Sequence, residues 1–359
     1  VLTRADDLPI HQTPEPVAYA GTDRNFYDRY FFNGFNPDGS EFFAVAFGVY
    51  PHLNIADAHF SVVRDGVQHC VHASRILHSE RMDLRVGPVA IDVIEPLRRL
   101  RVRVDGEGIV AELNFAARAF PVEEPRFTHR IGPRAFMDYT RMTQNGRWTG
   151  WIEVDGERRV LSTRAIGTRD RSWGIRPIGA SDAQPLAPAA RLNFFWLWAP
   201  LHFDDFSLFF HVNADALGQP WNTRAVLCPD GAGPEEMAQC DSPSMSVTWQ
   251  DGVRHASAAV LQTTLRGRRQ DISFRPLAKF YMRGVGYIGS SWPHGAYKGE
   301  LAIGREDFAV AADSAAGMEN LHIQAVSAVS LREDDAPALQ GIGVLEQLVL
   351  GEYAPYGFT

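Results

Sequence analysis

The sequence predicts an all-β protein made of two antiparallel β-barrels, or barrel-like sandwiches, in tandem. Three observations predict it. Turn signals are frequent and separate short segments of period-two hydrophobicity. Helical periodicity is scarce. The 359 residues are too many for a single eight-stranded barrel.

The turn signals are six Asp-Gly dipeptides, beginning at Asp38, Asp65, Asp105, Asp155, Asp230 and Asp251. Asp-Gly suits the positive φ angles of tight hairpins. Residues 59–64 and 67–71 flank Asp65-Gly66 as one hairpin. Before Asp105, Leu100, Val102 and Val104 alternate with Arg99, Arg101 and Arg103, the pattern of a strand with one buried side. Residues 109–115 return from that turn. Residues 148–154 and 158–162 make a third hairpin about Asp155-Gly156. In the second half the strand candidates are 192–199, 206–212, 253–265, 280–288, 297–303, 321–330 and 343–353. Pro88 and Pro96 argue against a helix at 84–97, and 235–239 has room for one helical turn. A Gly-, Ala-, Ser-, Asp- and Pro-rich stretch at 178–188 reads as a linker. The expected domains are therefore 1–178 and 189–359. No internal repeat of the propeller or solenoid kind is present.

Composition narrows the function classes. Hydrophobic residues make up 45% and charged residues 22%, which excludes a disordered chain. Lys and Arg number 35 against 43 Asp and Glu, a net charge of −8, which argues against nucleic acid as a partner. The three cysteines, Cys70, Cys228 and Cys240, form no Cys-x-x-Cys pair and are odd in number, against a disulfide framework. The first residues lack the apolar core of a signal peptide. The densest apolar run, 192–203, is broken by Pro200 and His202 and is too short for a membrane span. A cytoplasmic protein is the expectation.

Three regions carry candidate chemistry. In Gly167-Thr-Arg-Asp-Arg-Ser-Trp-Gly-Ile-Arg-Pro177, a strand would put Asp170, Ser172 and Gly174 on one face and Arg169, Arg171 and Trp173 on the other. A buried Asp170 needs a partner. It is either one half of an ion pair pinning the fold or an acid, base or orienter whose charge state Arg171 and Arg176 set. The second region runs from Tyr281 to Gly295. Gly284, Gly286 and Gly289 fit Gly-x-Gly-x-x-Gly, but a turn and not a helix follows them, so a nucleotide site is not expected. A bent strand with a loop bearing His294 is the better reading. His294 or Tyr287 would then stand opposite Asp170 as the proton-moving group. Arg283, Trp292, Tyr297 and Glu300 are candidate substrate contacts. The third region is aromatic. Phe194, Trp196 and Trp198 share one strand face and, with Trp173, could line a cavity for a hydrophobic or aromatic small molecule. His52, His59, His69, His72 and His78 crowd the first half, yet no Asp or Glu spacing completes a metal site, and no metal is expected. No Gly-x-Ser-x-Gly elbow and no P-loop occur. What remains is acid–base chemistry without an organic cofactor, or else a two-barrel carrier that binds an apolar ligand and does no chemistry.

The Gly-x-x-Asp-x-x-Trp-Gly stretch at the end of the first half resembles the tandem lipocalin-like proteins: the carotenoid 1,2-hydratase, AttH-like, tocopherol-cyclase-like and Diels–Alderase-like group. The longer Arg-Asp-x-Ser-Trp-Gly-x-Arg form, with Trp292-Pro-His-Gly and Tyr297-x-Gly-Glu300, is similar to an uncharacterised bacterial branch of that group. The resemblance implies two calycin-type barrels, a ligand cavity, and an enzyme of the lyase, hydratase or cyclase kind. Arg171 and Ser172 stand where the hydratase pattern has other residues, a departure that weighs against carotenoid hydration itself.

Overall fold

The computed structural model describes residues 2–11, 23–181, 193–310, 317–334 and 336–359. Most of the expected linker, 182–188, lies outside these residues. The chain forms two compact units. The first comprises Val1–Asn36, Glu41–Ala190 and Gly284–Ala309, and the second Pro37–Ser40, Arg191–Arg283 and Val310–Thr359. Residues 284–309 thus pack with the first unit, although the expected second domain spanned them.

Strands of the first unit, in chain order, are β1 (Phe26–Phe35), β2 (Phe42–Tyr50), β3 (Ile55–Arg64), β4 (Val67–Ile76), β5 (Arg85–Val86), β6 (Val89–Glu95), β7 (Arg99–Gly106), β8 (Ile109–Ala117), β9 (Val122–Glu123), β10 (Phe127–Ile131), β11 (Arg134–Val154), β12 (Glu157–Val160) and β13 (Ile166–Ile175). The second unit holds β14 (Phe194–His202), β15 (Phe206–Ala214), β16 (Pro220–Pro229), β17 (Ala238–Trp249), β18 (Ala256–Leu265) and β19 (Arg268–Tyr281). The chain then gives β20 (Leu301–Ala309) to the first unit before β21 (Ile323–Glu333) and β22 (Leu339–Leu350) complete the second. Among the described residues the helical segments are short 3₁₀ turns, one of them Pro234–Glu236 near the expected helical turn.

The all-β expectation holds. β14–β19, β21 and β22 close into an eight-stranded antiparallel barrel. The first unit is a curled open sheet in the order β20-β4-β3-β2-β1-β13-β11-β8-β7-β6-β5. Alternation predicted its hairpins well. Leu100, Val102 and Val104 enter the core, while Arg101 and Arg103 reach Asp92 on the outer side. The turns at Asp65-Gly66 (φ 52° and 79°) and Asp155-Gly156 (φ 50° and 86°) have two consecutive left-handed residues, as a tight hairpin requires. Asp105-Gly106 differs. It ends β7, and Glu107 and Gly108 make the turn.

Alternation is lost where both faces are covered. Every residue of β2 is buried, so its sequence reads as one apolar run. In the second half β19 occupies 268–281, earlier than the expected 280–288, and its polar outer positions disguised it. The chain leaves β19 into the 3₁₀ turn Met282–Val285, and the strand expected at 297–303 forms at Leu301–Ala309.

The first core is built on one sheet face from Tyr30, Phe32, Phe43, Val45, Phe47, Ala58, Phe60 and their neighbours. The opposite face is also buried but polar. It presents Arg29, Asp57, His59, Ser61, Gln68, His72 and Asp170. Residues 284–295 lie against part of this face, where a Cβ at Gly284 would strike Ser61, Gln68 and Cys70.

Candidate functional site

The two faces of β13 divide the motif at 167–177. On the core-side face Arg169 grips the Asp7 carboxylate with both terminal nitrogens. Arg171 pairs with Asp28 at 2.6 Å, donates to the carbonyls of Asp6 and Leu8, and sits 3.8 Å above the Tyr30 ring. Trp173 stacks on His11 with ring centroids 3.7 Å apart. His11 in turn bridges Asp28 and Asp6, at 2.8 and 2.9 Å. This face therefore fastens the segment 2–11 to the sheet. Arg171 is half of an ion pair, with Asp28 and not with Asp170, and Trp173 packs with Leu2, Leu97 and Met142. Neither shares the face of Asp170.

Asp170 lies on the other face, 5% exposed, in register with Phe31 of β1 and Thr143 of β11. Arg29 and Arg141 feel its charge, and the expected Arg171 is turned to the opposite face. Arg141 is held by Glu124 at 2.5 and 2.9 Å. Arg29 is buried. Burial alone would weaken its charge, but Tyr287, Asp170, Tyr27 and Tyr50 around it more than offset that.

His294 joins Arg29 to Arg176. Its Nε2–H donates to the Val285 carbonyl at 2.7 Å, which leaves Nδ1 as an acceptor. Nδ1 receives Arg29 Nη1 at 3.3 Å and Arg176 Nη2 at 3.1 Å. Burial, then the charges of Arg29 and Arg176, push this imidazole well below its usual range. It is neutral at physiological pH, and its lone pair is capped by two cations. That geometry suits a positioning group and not the proton donor expected from the sequence. A Cβ at Gly286, a residue with φ of 86°, would strike both His294 and His59, so the glycine spacing serves close approach of loop and sheet.

Aromatic rings complete the cluster. Tyr287 meets His294 edge-on at 4.8 Å and carries Arg29 4.9 Å over its ring. Arg176 lies 4.7 Å over Tyr27. Burial raises Tyr27, outweighing Arg176 and Arg29, so its hydroxyl stays protonated as a donor. That hydroxyl and the Ser172 hydroxyl approach one another without forming a well-shaped hydrogen bond. Tyr50 stays protonated because of burial and the adjacent Asp57 carboxylate, to which it donates at 3.0 Å.

Of the sequence candidates, Arg176, Tyr287 and His294 touch one another here, and Asp170 lies on the same sheet face as Arg29, whose charge it supports. Trp292 stacks on His72 at 5.7 Å. Tyr297 and Glu300 are exposed, because the chain turns outward after Gly295. Phe194, Trp196, Trp198 and Arg283 belong to the second unit. There Phe195 and Leu197 face the core, and Trp196 faces the other way, its indole N–H donating to Glu346 at 2.8 Å. Glu346 also accepts from His322 at 2.9 Å and Gln324 at 2.5 Å. Sequence reasoning missed Arg29, Tyr27, Tyr50, Asp57 and the pairing of His59 with His72. No group of three or more His, Cys, Asp or Glu suited to a metal ion occurs among the described residues. No helix there is long and apolar enough to cross a membrane.

No curated protein matches the chain in sequence. Solved structures match it in fold. Kievitone hydratase from Nectria haematococca has a TM-score of 0.54 at 12% identity, over 89% of this chain and 88% of that one. CghA with Sch210972 has a TM-score of 0.56 at 13% identity, over 97% and 96%. An AttH-like protein from Nitrosomonas europaea has a TM-score of 0.51 at 15% identity, over 94% and 98%. These likenesses carry the tandem lipocalin-like architecture over nearly the whole chain. A sequence profile for a family of unknown function, DUF8625, matches residues 2–359, and the chain belongs to that family.

Proposed function

We propose that this protein is a cofactor-independent enzyme of the hydratase, lyase or cyclase kind, acting by acid–base chemistry on a hydrophobic phenolic, isoprenoid or polycyclic small molecule. The observation that carries the reading is the buried Arg29, held with Arg176 on a neutral His294 beside Tyr27 and Asp170. Fixed cations in a water-poor site stabilise negative charge as it develops on a substrate oxygen. The Tyr27 phenol, kept neutral by burial, is the proton donor. Asp170 is the carboxylate that takes a proton or orients water. The rings of Tyr27 and Tyr287 offer faces to a carbon centre that becomes positive. The fold shared with kievitone hydratase and with CghA, which is solved with Sch210972, supports a small-molecule substrate.

The test is incubation of the protein with kievitone and other alkenyl phenols, followed by mass spectrometry. The reading expects gain or loss of one water, or an isomer of unchanged mass. Saturable binding of these compounds with every one recovered unchanged would favour a carrier.

A further inference from the structure

Beside the site, β3 and β4 carry a second titratable array for which the mechanism above has no use. Asp57 and His59 lie on β3, and His72 lies on β4. All three are buried, at 2%, 1% and 0% exposure. His59 and His72 face each other across the hairpin, their Nδ1 atoms 2.9 Å apart. At the outer end His72 Nε2 lies 3.4 Å from Glu306 of β20, whose side chain is 36% exposed. At the inner end His59 Nε2 lies 3.7 Å from Asp57 Oδ1. That oxygen accepts from Tyr50, and the other Asp57 oxygen accepts from the N–H of Gly295, next to His294. The other charged or titratable groups facing the pair are His294, 5.5 Å from the His59 ring, and Lys298, which lies over Trp292 where that ring stacks on His72.

A bond between two Nδ1 atoms constrains both rings. One Nδ1 carries the hydrogen and the other accepts it. With both rings neutral, the donor's Nε2 is bare and the acceptor's Nε2 carries a hydrogen. The pair therefore always presents one N–H and one lone pair at its two ends, and each end has a carboxylate within 3.7 and 3.4 Å, approaches that must shorten into hydrogen bonds for a proton to pass. In one state the Asp57 carboxyl proton points to His59 Nε2, His59 Nδ1–H to His72 Nδ1, and His72 Nε2–H to an ionised Glu306. In the other state each of these three protons has moved one bond outward. Asp57 is then ionised and Glu306 carries the proton. Atoms and charge balance, and the net change is one proton passed from Asp57 to Glu306.

From this geometry we infer that Asp57, His59, His72 and Glu306 form a proton relay between the Tyr50 side of the site and solvent. The inference deepens the proposed acid–base function, because it supplies the path by which a proton released at the site leaves. Burial, which outweighs the opposing pull of Glu306, holds His72 at about 4, so the ring is neutral at physiological pH, as the relay requires.

The test uses the full chain without ligand. Ring ¹⁵N spectra report which nitrogen of each histidine carries a hydrogen. The relay predicts complementary tautomers for His59 and His72 that exchange with one another as a pair, in a joint switch whose ratio the two carboxyls set. Glu306→Gln should abolish that joint switch, and Glu300→Gln, on the exposed loop, should leave it. Should Glu306→Gln prove poorly folded, Asp57→Asn is expected to abolish the same switch from the other end. Both histidines protonated on the same nitrogen, or tautomers indifferent to Glu306 and Asp57, would overturn the relay. Because the readout needs no substrate, its failure is separate from failure of the proposed activity, which the kievitone assay measures.

Discussion

Arginines meet both faces of the sheet around β13, Arg169 and Arg171 on one and Arg29 of β1 on the other, and the two faces use them oppositely. On the core-side face each guanidinium has a carboxylate: Arg169 has Asp7 and Arg171 has Asp28. Burial pushes Asp28 up, but Arg171 and His11 outweigh it and hold the carboxyl below its usual range. On the other face, Arg29 and Arg176 converge on a neutral imidazole. The difference teaches where to look for chemistry. A matched ion pair is fastening. Cations directed at a neutral acceptor, beside a protonated phenol, keep the capacity to meet another charge.

The largest expected effect breaks the matched face. Asp28→Ala leaves Arg171 charged and buried without its carboxylate, a change that costs roughly 3–5 kcal/mol in such pairs. Urea denaturation should show that loss. Trp173→Ala comes next. It removes the stack on His11 and the packing on Leu2, Leu97 and Met142, for about 3 kcal/mol by comparison with other aromatic truncations. Melting should fall while affinity for a phenolic ligand stays unchanged. Reduced affinity with unchanged melting would move Trp173 to the site.

pH sharpens the comparison further. His72, on the site-side face, is held at about 4 by burial, so the unfolded chain binds its proton first as pH falls. Its contribution is present above pH 6.5 and is lost on the way down through pH 4, on the order of 3 kcal/mol in full. His11, on the matched face, is shifted the other way. Burial lowers it, but Asp28 and Asp6 outweigh burial and raise it. Its contribution is complete below pH 6.5 and is lost as pH rises through its folded value. Denaturation across pH 4–8 should therefore show His72→Gln flattening the acid-side loss and His11→Gln removing stability chiefly on the acid side.

Much of this was legible in the sequence. The alternation at 167–177 separated Asp170 from Arg171 and Trp173 before any coordinates, and the same alternation at 194–198 separated Trp196 from Phe195. The Asp65-Gly66 turn also fixes the register of its hairpin. A two-residue turn pairs Arg64 with Val67 and, counting outward, Ser61 with Cys70 and His59 with His72, as the register shows. The scattered histidines were a cross-strand pair in disguise. Arg29 was not legible. It lies in a strand buried on both faces, where period two vanishes, and it meets His294 from 265 residues away. The seating of 284–309 on the first unit has the same cause. Strand pairing between remote segments such as β4 and β20 leaves no local signature.

The central claim is that the Asp170 face works and the Arg171 face holds. The most direct measurement is the rate at which Asp170→Asn converts a substrate identified by the kievitone and alkenyl-phenol screen, with melting recorded on the same sample. The account predicts a fall of ~100-fold or more, the usual worth of a positioned acid or base, with a near-native melting curve. An unchanged rate, or a rate that falls only as far as the fraction folded, would contradict it.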